Sequence, residues 1–246
     1  MDVPLAQQTT IEDDTRLYVS SKIYMQKQKI ARAISKGKCM ICSEILAKNI
    51  MTRHIASHKN EHTKTKTSSK YFHILMEGRY DPEYWLHVGV RTKDPLEDLD
   101  YLLRNIWLEC CEHLSAFTIR GEQFALNLDP EYGDRGMGAS FEKVLAHGMK
   151  FTHEYDFGTT TDLLGKVVGE YEEGAKRPIA ILARNEPPDL RCMTCGQNAS
   201  RICSGCTWKG KTGLLCKTHV SQHKHDQARS LPVVNSPRVG VCGYSG

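Results

Sequence analysis

The sequence predicts an α+β protein, a compact mixed core domain flanked by small cysteine- and histidine-rich modules. Seven of the ten cysteines fall into C-x2-C or C-x2-H pairs, confined to two short segments near the ends. Between these, residues 71–183 alternate strand-like runs with one helical pattern. Charge is segregated in the same way. Residues 1–70 carry a net +7, residues 71–190 a net −10 and residues 191–246 a net +7, so the overall +4 conceals basic ends around an acidic middle. Such asymmetry points to a polyanionic partner or to docking of the ends on the centre.

The core elements follow in order. HILM and WLHVGVR read as strands, residues 96–112 as a helix, and FTIRGEQFAL and 150–157 as further strands. Phe117 with Ile119, and Phe151 with Tyr155 and Phe157, alternate as faces turned to a core. The flanks are different. Asp13 or Asp14 can cap a helix that carries Val19, Ile23, Ile30 and Ile34 and closes at Gly37, giving a helical segment over 1–37. Residues 60–70 (NEHTKTKTSSK) are polar and aperiodic, a linker. The Gly-, Pro- and Ser-containing stretch 228–246 reads as a mobile tail.

Nothing approaches the roughly 18 apolar residues of a membrane span. Met1–Thr10 lacks a basic region followed by an apolar stretch, so a cytoplasmic protein is expected. In a reducing compartment thiols stay free, and paired cysteines then mean metal. Cys39-x2-Cys42-x11-His54-x3-His58 supplies two thiolates on a knuckle and two imidazoles one helical turn apart, a tetrahedral zinc set. So short a stretch, 38–59, folds on the free energy of metal binding, with Leu46 and Met51 as its small core. His62 is an alternative ligand. The stretch resembles the two-Cys, two-His zinc finger family, with a loop one residue shorter than usual. Carrying that family's helix positions over by counting back from His54 places base contacts at Ala47, Ile50 and Arg53, of which only Arg53 can bond a base edge. Backbone contact through Lys36, Lys38, Lys48, Arg53 and Lys59 is the better expectation for nucleic acid.

Residues 190–227 hold Cys192-x2-Cys195-x7-Cys203-x2-Cys206-x9-Cys216-x2-His219-x3-His223-x1-His225, enough ligands for two tetrahedral sites. LLCKTHVSQHKH and CMTCGQNASRICSGC resemble the closing and opening pairs of a B-box-type zinc domain. The resemblance implies a cross-brace, with Cys192, Cys195, Cys216 and His219 at one metal and Cys203, Cys206, His223 and His225 at the other. Cys242 is a substitute for either late histidine. The expected complement is about three zinc ions per chain, held in closed, structural sites.

Residues 71–185 contain HL-x-F-x-I-x-G-x-x-F, beginning at His113, and later Tyr155-Asp156-Phe157-Gly158. This resembles the plasmid pRiA4b ORF-3-like family, although the family's aromatic after the second motif is replaced by Thr159–Thr161. The resemblance implies a compact α+β domain from prokaryotic and mobile-element proteins. Asp156 either organises a turn or belongs to a site. His113, His153, Glu154 and Asp156 form a conceivable acid/base or metal constellation, which would make the domain a hydrolase. Cys110 and Cys111 read as buried apolar thiols on the helix. The leading expectation is a non-enzymatic adaptor that presents basic zinc modules to nucleic acid. The alternative is a module that binds only protein.

Overall fold

The computed structural model describes residues 35–60, 68–127, 133, 135–174, 177–225 and 230–246. They fall into two compact units, Ile34–Asp189 with Val234–Gly246, and Leu190–Val233.

The larger unit begins with strands β1 (Lys36–Cys39) and β2 (Ile45–Ala47) and helix α1 (Lys48–Asn60). Strands β3 (Ser69–Gly78) and β4 (Trp85–Arg91) follow. Helix α2 (Leu96–Leu103) runs on into a π turn at Arg104–Leu108. Next come β5 (Ser115–Ile119), β6 (Glu122–Ala125), β7 (Arg135–Gly136) and the single-turn α3 (Phe141–Val144). Strands β8 (Lys150–Tyr155), β9 (Thr161–Glu173) and β10 (Ile179–Asn185) complete it. Its ten-stranded sheet has the order β2-β1-β10-β4-β3-β9-β8-β5-β6-β7. Neighbours pair antiparallel except for β6 and β7. With helices lying outside the run of strands, the class is α+β.

Local chemistry explains the main elements. Helix α2 buries Leu96, Leu99, Asp100 and Leu103, spaced three to four apart on one face. The β5–β6 hairpin turns on Arg120 and Gly121, both at positive φ, the geometry a two-residue loop needs to match strand twist. Strands β3 and β4 are buried on both faces, hence their mainly apolar runs, in which the one buried histidine of each, His73 and His87, bonds the other at 2.8 Å.

The smaller unit has a three-stranded sheet of β11 (Arg201–Cys203), β12 (Leu214–Leu215) and β13 (Ser230–Pro232) in the order β12-β11-β13. Two short helices, α4 (Ser204–Thr207) and α5 (Lys217–Ser221), complete it. Because β13 pairs with β11, this unit runs past residue 227.

Several expectations are corrected. Residues 13–34 of the anticipated helix lie outside the described residues, but Gly37 is not its end. It sits in β1, where a Cβ would collide with the Trp85 ring and the Arg184 carbonyl. The stretch 38–59 is not a free-standing module. Strand β1 pairs with β10, and Met51 and Ile55 of α1 join Cys39, Tyr71, Trp85, Tyr171, Leu182 and Ala183 in one core. Its small core is therefore part of a larger one. Ser69 and Lys70 open β3 rather than close a linker. The helix from Leu96 stops at Leu108, short of the cysteines. Phe157 follows the end of β8 and is 49% exposed. The tail is the largest departure. Ser236, Arg238 and Tyr244 are buried in the larger unit, because each side chain finds a polar partner there.

Candidate metal centres

Four clusters of cysteine and histidine converge among the described residues, each with its ligand atoms within 4.8 Å of one another. Around zinc, with bonds of about 2.3 Å to sulfur and 2.0–2.1 Å to nitrogen, tetrahedral edges measure about 3.8 Å between sulfurs, 3.5 Å between sulfur and nitrogen and 3.3 Å between nitrogens. These lengths test each cluster.

The first is Cys39, Cys42, His54 and His58. The β1–β2 turn makes the knuckle: the Ser43 N–H donates to the Cys39 carbonyl, and Ser43 takes a left-handed backbone. Helix α1 places His54 and His58 one turn apart, their Nε2 atoms 3.2 Å from each other, and His54 Nε2 is 3.2 Å from Cys42 Sγ. These match the zinc edges within a few tenths of an ångström. His62 lies outside the described residues.

The second and third lie in the smaller unit and interleave along the chain. Cys192, Cys195, Cys216 and His219 form one, and Cys203, Cys206, His223 and His225 the other. The edges are Cys195–Cys216 3.7 Å, Cys192–His219 3.7 Å, Cys203–His225 3.3 Å and Cys206–His223 3.2 Å. Gly196, at positive φ, closes the first knuckle on the Cys192 carbonyl. Burial acts to raise the Cys192 thiol, but the N–H groups of Thr194, Cys216 and Cys195 outweigh it and bring it down to about 6. Both late histidines belong to the third cluster, and Cys242 belongs to neither.

Cys242 instead meets Cys110, Cys111 and His113 in a fourth cluster. Cys111 is exposed and Cys110 half-buried, so neither is a core thiol. The reason is the early end of the helix, which leaves 109–114 as a loop. Sequence spacing gave no sign of this cluster, since Cys242 lies 129 residues from His113.

The middle-domain constellation is not assembled as one site. His153 is fully buried, its Nε2 2.7 Å from Asp100 Oδ1. Burial raises Asp100, but the neighbouring His153 and Arg104 reverse it and hold the carboxyl below its ordinary range. Glu154 points to the other face of β8 and is raised by burial and by Asp162 beside it. Asp156 sits at positive φ and closes a turn, accepting from the Gly158 and Thr159 N–H groups and the Thr159 hydroxyl. Its second oxygen accepts from Arg238 at 2.7 Å, and these donors together overcome burial and hold the carboxyl far below the usual range. His113 Nε2 is 3.6 Å from Asp156 and 3.6 Å from Cys242 Sγ. Of the four residues, His113 alone turns to a ligand cluster.

A polar chain fixes the loop that carries Cys110 to His113. Arg104 bridges Asp100, Glu109, the His113 carbonyl and the Ser115 hydroxyl. The Tyr155 hydroxyl donates to Glu109 and accepts from the N–H groups of Cys110 and His113. Tyr155→Phe should therefore cost about 1–3 kcal/mol, because it takes away the shared acceptor of the part-buried Cys110 and His113 N–H groups. Denaturant unfolding measures this, and a loss below a few tenths would mean the hydroxyl does not hold the loop.

The basic residues are placed unevenly. Lys36, Lys38 and Arg53 are exposed. Lys48 is engaged, donating to the Pro82 carbonyl and paired with Glu77, so it is a poor phosphate contact. The Lys59 side chain lies outside the described residues. No helix among the described residues is long and apolar enough to cross a membrane.

No family model and no curated protein matches the chain. Among solved structures it is similar to the protein of unknown function MM3350 from Methanosarcina mazei Go1, at 16% identity and a TM-score of 0.39, over 45% of this chain and 66% of that one. A likeness of that size bears on neither family nor function.

Proposed function

We propose that the chain is a zinc-binding, non-enzymatic adaptor that holds nucleic acid mainly through its C-terminal module. The observation carrying this reading is the surface of that module. From Leu190 to Val233 it has seven lysines and arginines and one acidic residue, Asp226, and Trp208 stands 76% exposed beside Lys209 and Lys211. An exposed indole between cations suits a base stacked on its face with phosphates alongside. A shallow depression lined by Arg191, Gln197, Asn198, Ser200 and Lys217 adds amide and cationic donors on the same unit. In the finger, Lys36, Lys38 and Arg53 supply further phosphate contacts, without sequence reading. Four-ligand clusters leave no open position for a catalytic water, which favours structural zinc. The resemblance of the middle domain to the plasmid pRiA4b ORF-3-like family makes a mobile-element setting part of the proposal.

Binding of labelled single- and double-stranded oligonucleotides, followed by anisotropy over rising salt, tests this. Trp208→Ala should weaken single-strand binding about 5- to 150-fold, the worth of one stacked base. Replacing Lys209 and Lys211 should lower the salt slope by roughly 0.7–0.9 per lysine. No binding at low salt, or no effect of Trp208→Ala, overturns the reading. Trp208 and the exposed Met193 also favour a second reading, a hydrophobic contact to a protein partner. That contact would persist as salt rises.

A further inference from the structure

We propose that Cys110, Cys111, His113 and Cys242 are a fourth zinc site, which staples the C-terminal segment Val234–Gly246 onto the core domain. This site is independent of the nucleic-acid reading above. Two of its edges are Cys111–Cys242 3.9 Å and Cys242–His113 3.6 Å, against about 3.8 and 3.5 Å for tetrahedral zinc. Three sulfurs and one imidazole nitrogen within 4.8 Å of one another make a Cys3His set, one of the ordinary closed compositions for structural zinc. A disulfide would join only two of these groups and leave the convergence of the other two without a purpose.

The surroundings support a metal. Glu112, between two ligands, and Cys242 itself both have positive φ, at 58° and 52°. Non-glycine residues adopt that conformation at a cost, and the fold holds it at both sides of the cluster. The ligand loop is fixed from behind by the Tyr155 hydroxyl through the Cys110 and His113 N–H groups. Arg238, fully buried, donates to Cys110 Sγ at 3.4 Å. An N–H donor on a ligand sulfur stabilises the thiolate and orients it, the usual task of groups just outside a metal's ligands. Charge is consistent too: three thiolates and Zn²⁺ leave one negative charge, which faces the Arg238 guanidinium. The same guanidinium also bonds the Asp156 carboxylate, which lies 3.6 Å from His113.

Besides the buried Arg238–Asp156 pair, polar bonds hold the tail nearer its start and its end. The Ser236 hydroxyl donates to the Trp107 carbonyl, the Tyr244 hydroxyl to the Ile106 carbonyl, and Asn235 exchanges bonds with Asn185. A metal shared between residues 110–113 and 242 closes a chain loop of more than a hundred residues and fixes the end of the segment.

The test uses the full-length chain purified with zinc. Native mass spectrometry should find four zinc ions per chain, and three in Cys111→Ser/Cys242→Ser. Alkylation followed by peptide mapping should find Cys110, Cys111 and Cys242 protected in the zinc-loaded wild type and reactive once zinc is chelated. The mapping needs no variant, so a variant that misfolds does not spoil the test. Three zinc ions with those cysteines freely alkylated would overturn the site. A metal-free mass two hydrogen atoms lighter than the reduced chain, with Cys111 joined to Cys242, would replace it with a disulfide. Loss of the fourth ion leaves oligonucleotide binding unaffected as a criterion, so the two readings fail separately.

Discussion

Chelating zinc from the native chain should unfold Leu190–Val233 while the ten-stranded sheet keeps its fold. Among its described residues the smaller unit has a very small apolar core. Apart from the ligand cysteines, the buried apolar side chains among its described residues are Ile202, Leu214 and Leu215. Each contributes about 1.5–3 kcal/mol, and domains of some forty residues need a metal or a disulfide to fold. Structural zinc supplies about 10–16 kcal/mol per site in small fingers at neutral pH. The finger in the larger unit should respond differently. Its Met51 and Ile55 sit in the shared core with Trp85 and Tyr171, and β1 is hydrogen-bonded to β10. Without metal, α1 should loosen near His54 and His58 while Met51 stays packed. Amide hydrogen exchange with and without chelator reads both outcomes. Protected amides in 201–215 that survive chelation would mean the metal does not carry that unit's fold.

The contrast between the two modules also marks what sequence made legible. Ligand identity is a local property: two thiols on a knuckle, or two imidazoles one turn apart, are written in the spacing of Cys39 to His58 and Cys192 to His225. The strands of the core were legible for the same reason, since Tyr71–Met76 and Trp85–Val90 are apolar apart from one histidine each, His73 and His87. What sequence hid was long-range. Nothing near Gly37 announces that Trp85 and Arg184 press on it and keep it in a strand. Nothing around Cys242 announces His113. The tail's glycines, prolines and serines look mobile because composition does not record that Arg238 has a buried carboxylate to meet. His153 and Asp156 stood close in sequence and looked like one site, yet β8 sends His153 inward to Asp100 while the turn after it gives Asp156 to Arg238.

Arg238→Met should destabilise the larger unit by about 3–5 kcal/mol, the cost of removing one partner from a buried ion pair. The guanidinium is wholly enclosed. It bonds Asp156, the Thr159 carbonyl, the Thr161 hydroxyl and Cys110 Sγ, and stacks 4.8 Å from the Tyr155 ring. Methionine fills much of the volume but leaves the Asp156 carboxylate, itself 5% exposed, without its cation. Asp156→Asn in the same chain should recover part of the loss, because it removes the stranded charge. A double-mutant cycle therefore gives a coupling well above the few tenths expected of independent sites. The pH dependence has a definite sign. Asp156 is held below its ordinary carboxyl range, so its stabilisation is present above the unfolded value of about 3.9 and is lost as pH falls towards the folded one. Stability of the wild type should drop with acid below about pH 4, and Asp156→Asn should flatten that slope. Since the same arginine bonds Cys110, Arg238→Met should also expose Val234–Gly246 to protease. A variant that loses less than about 1 kcal/mol, or whose effects simply add to those of Asp156→Asn, would show that the buried pair is not what seats the tail.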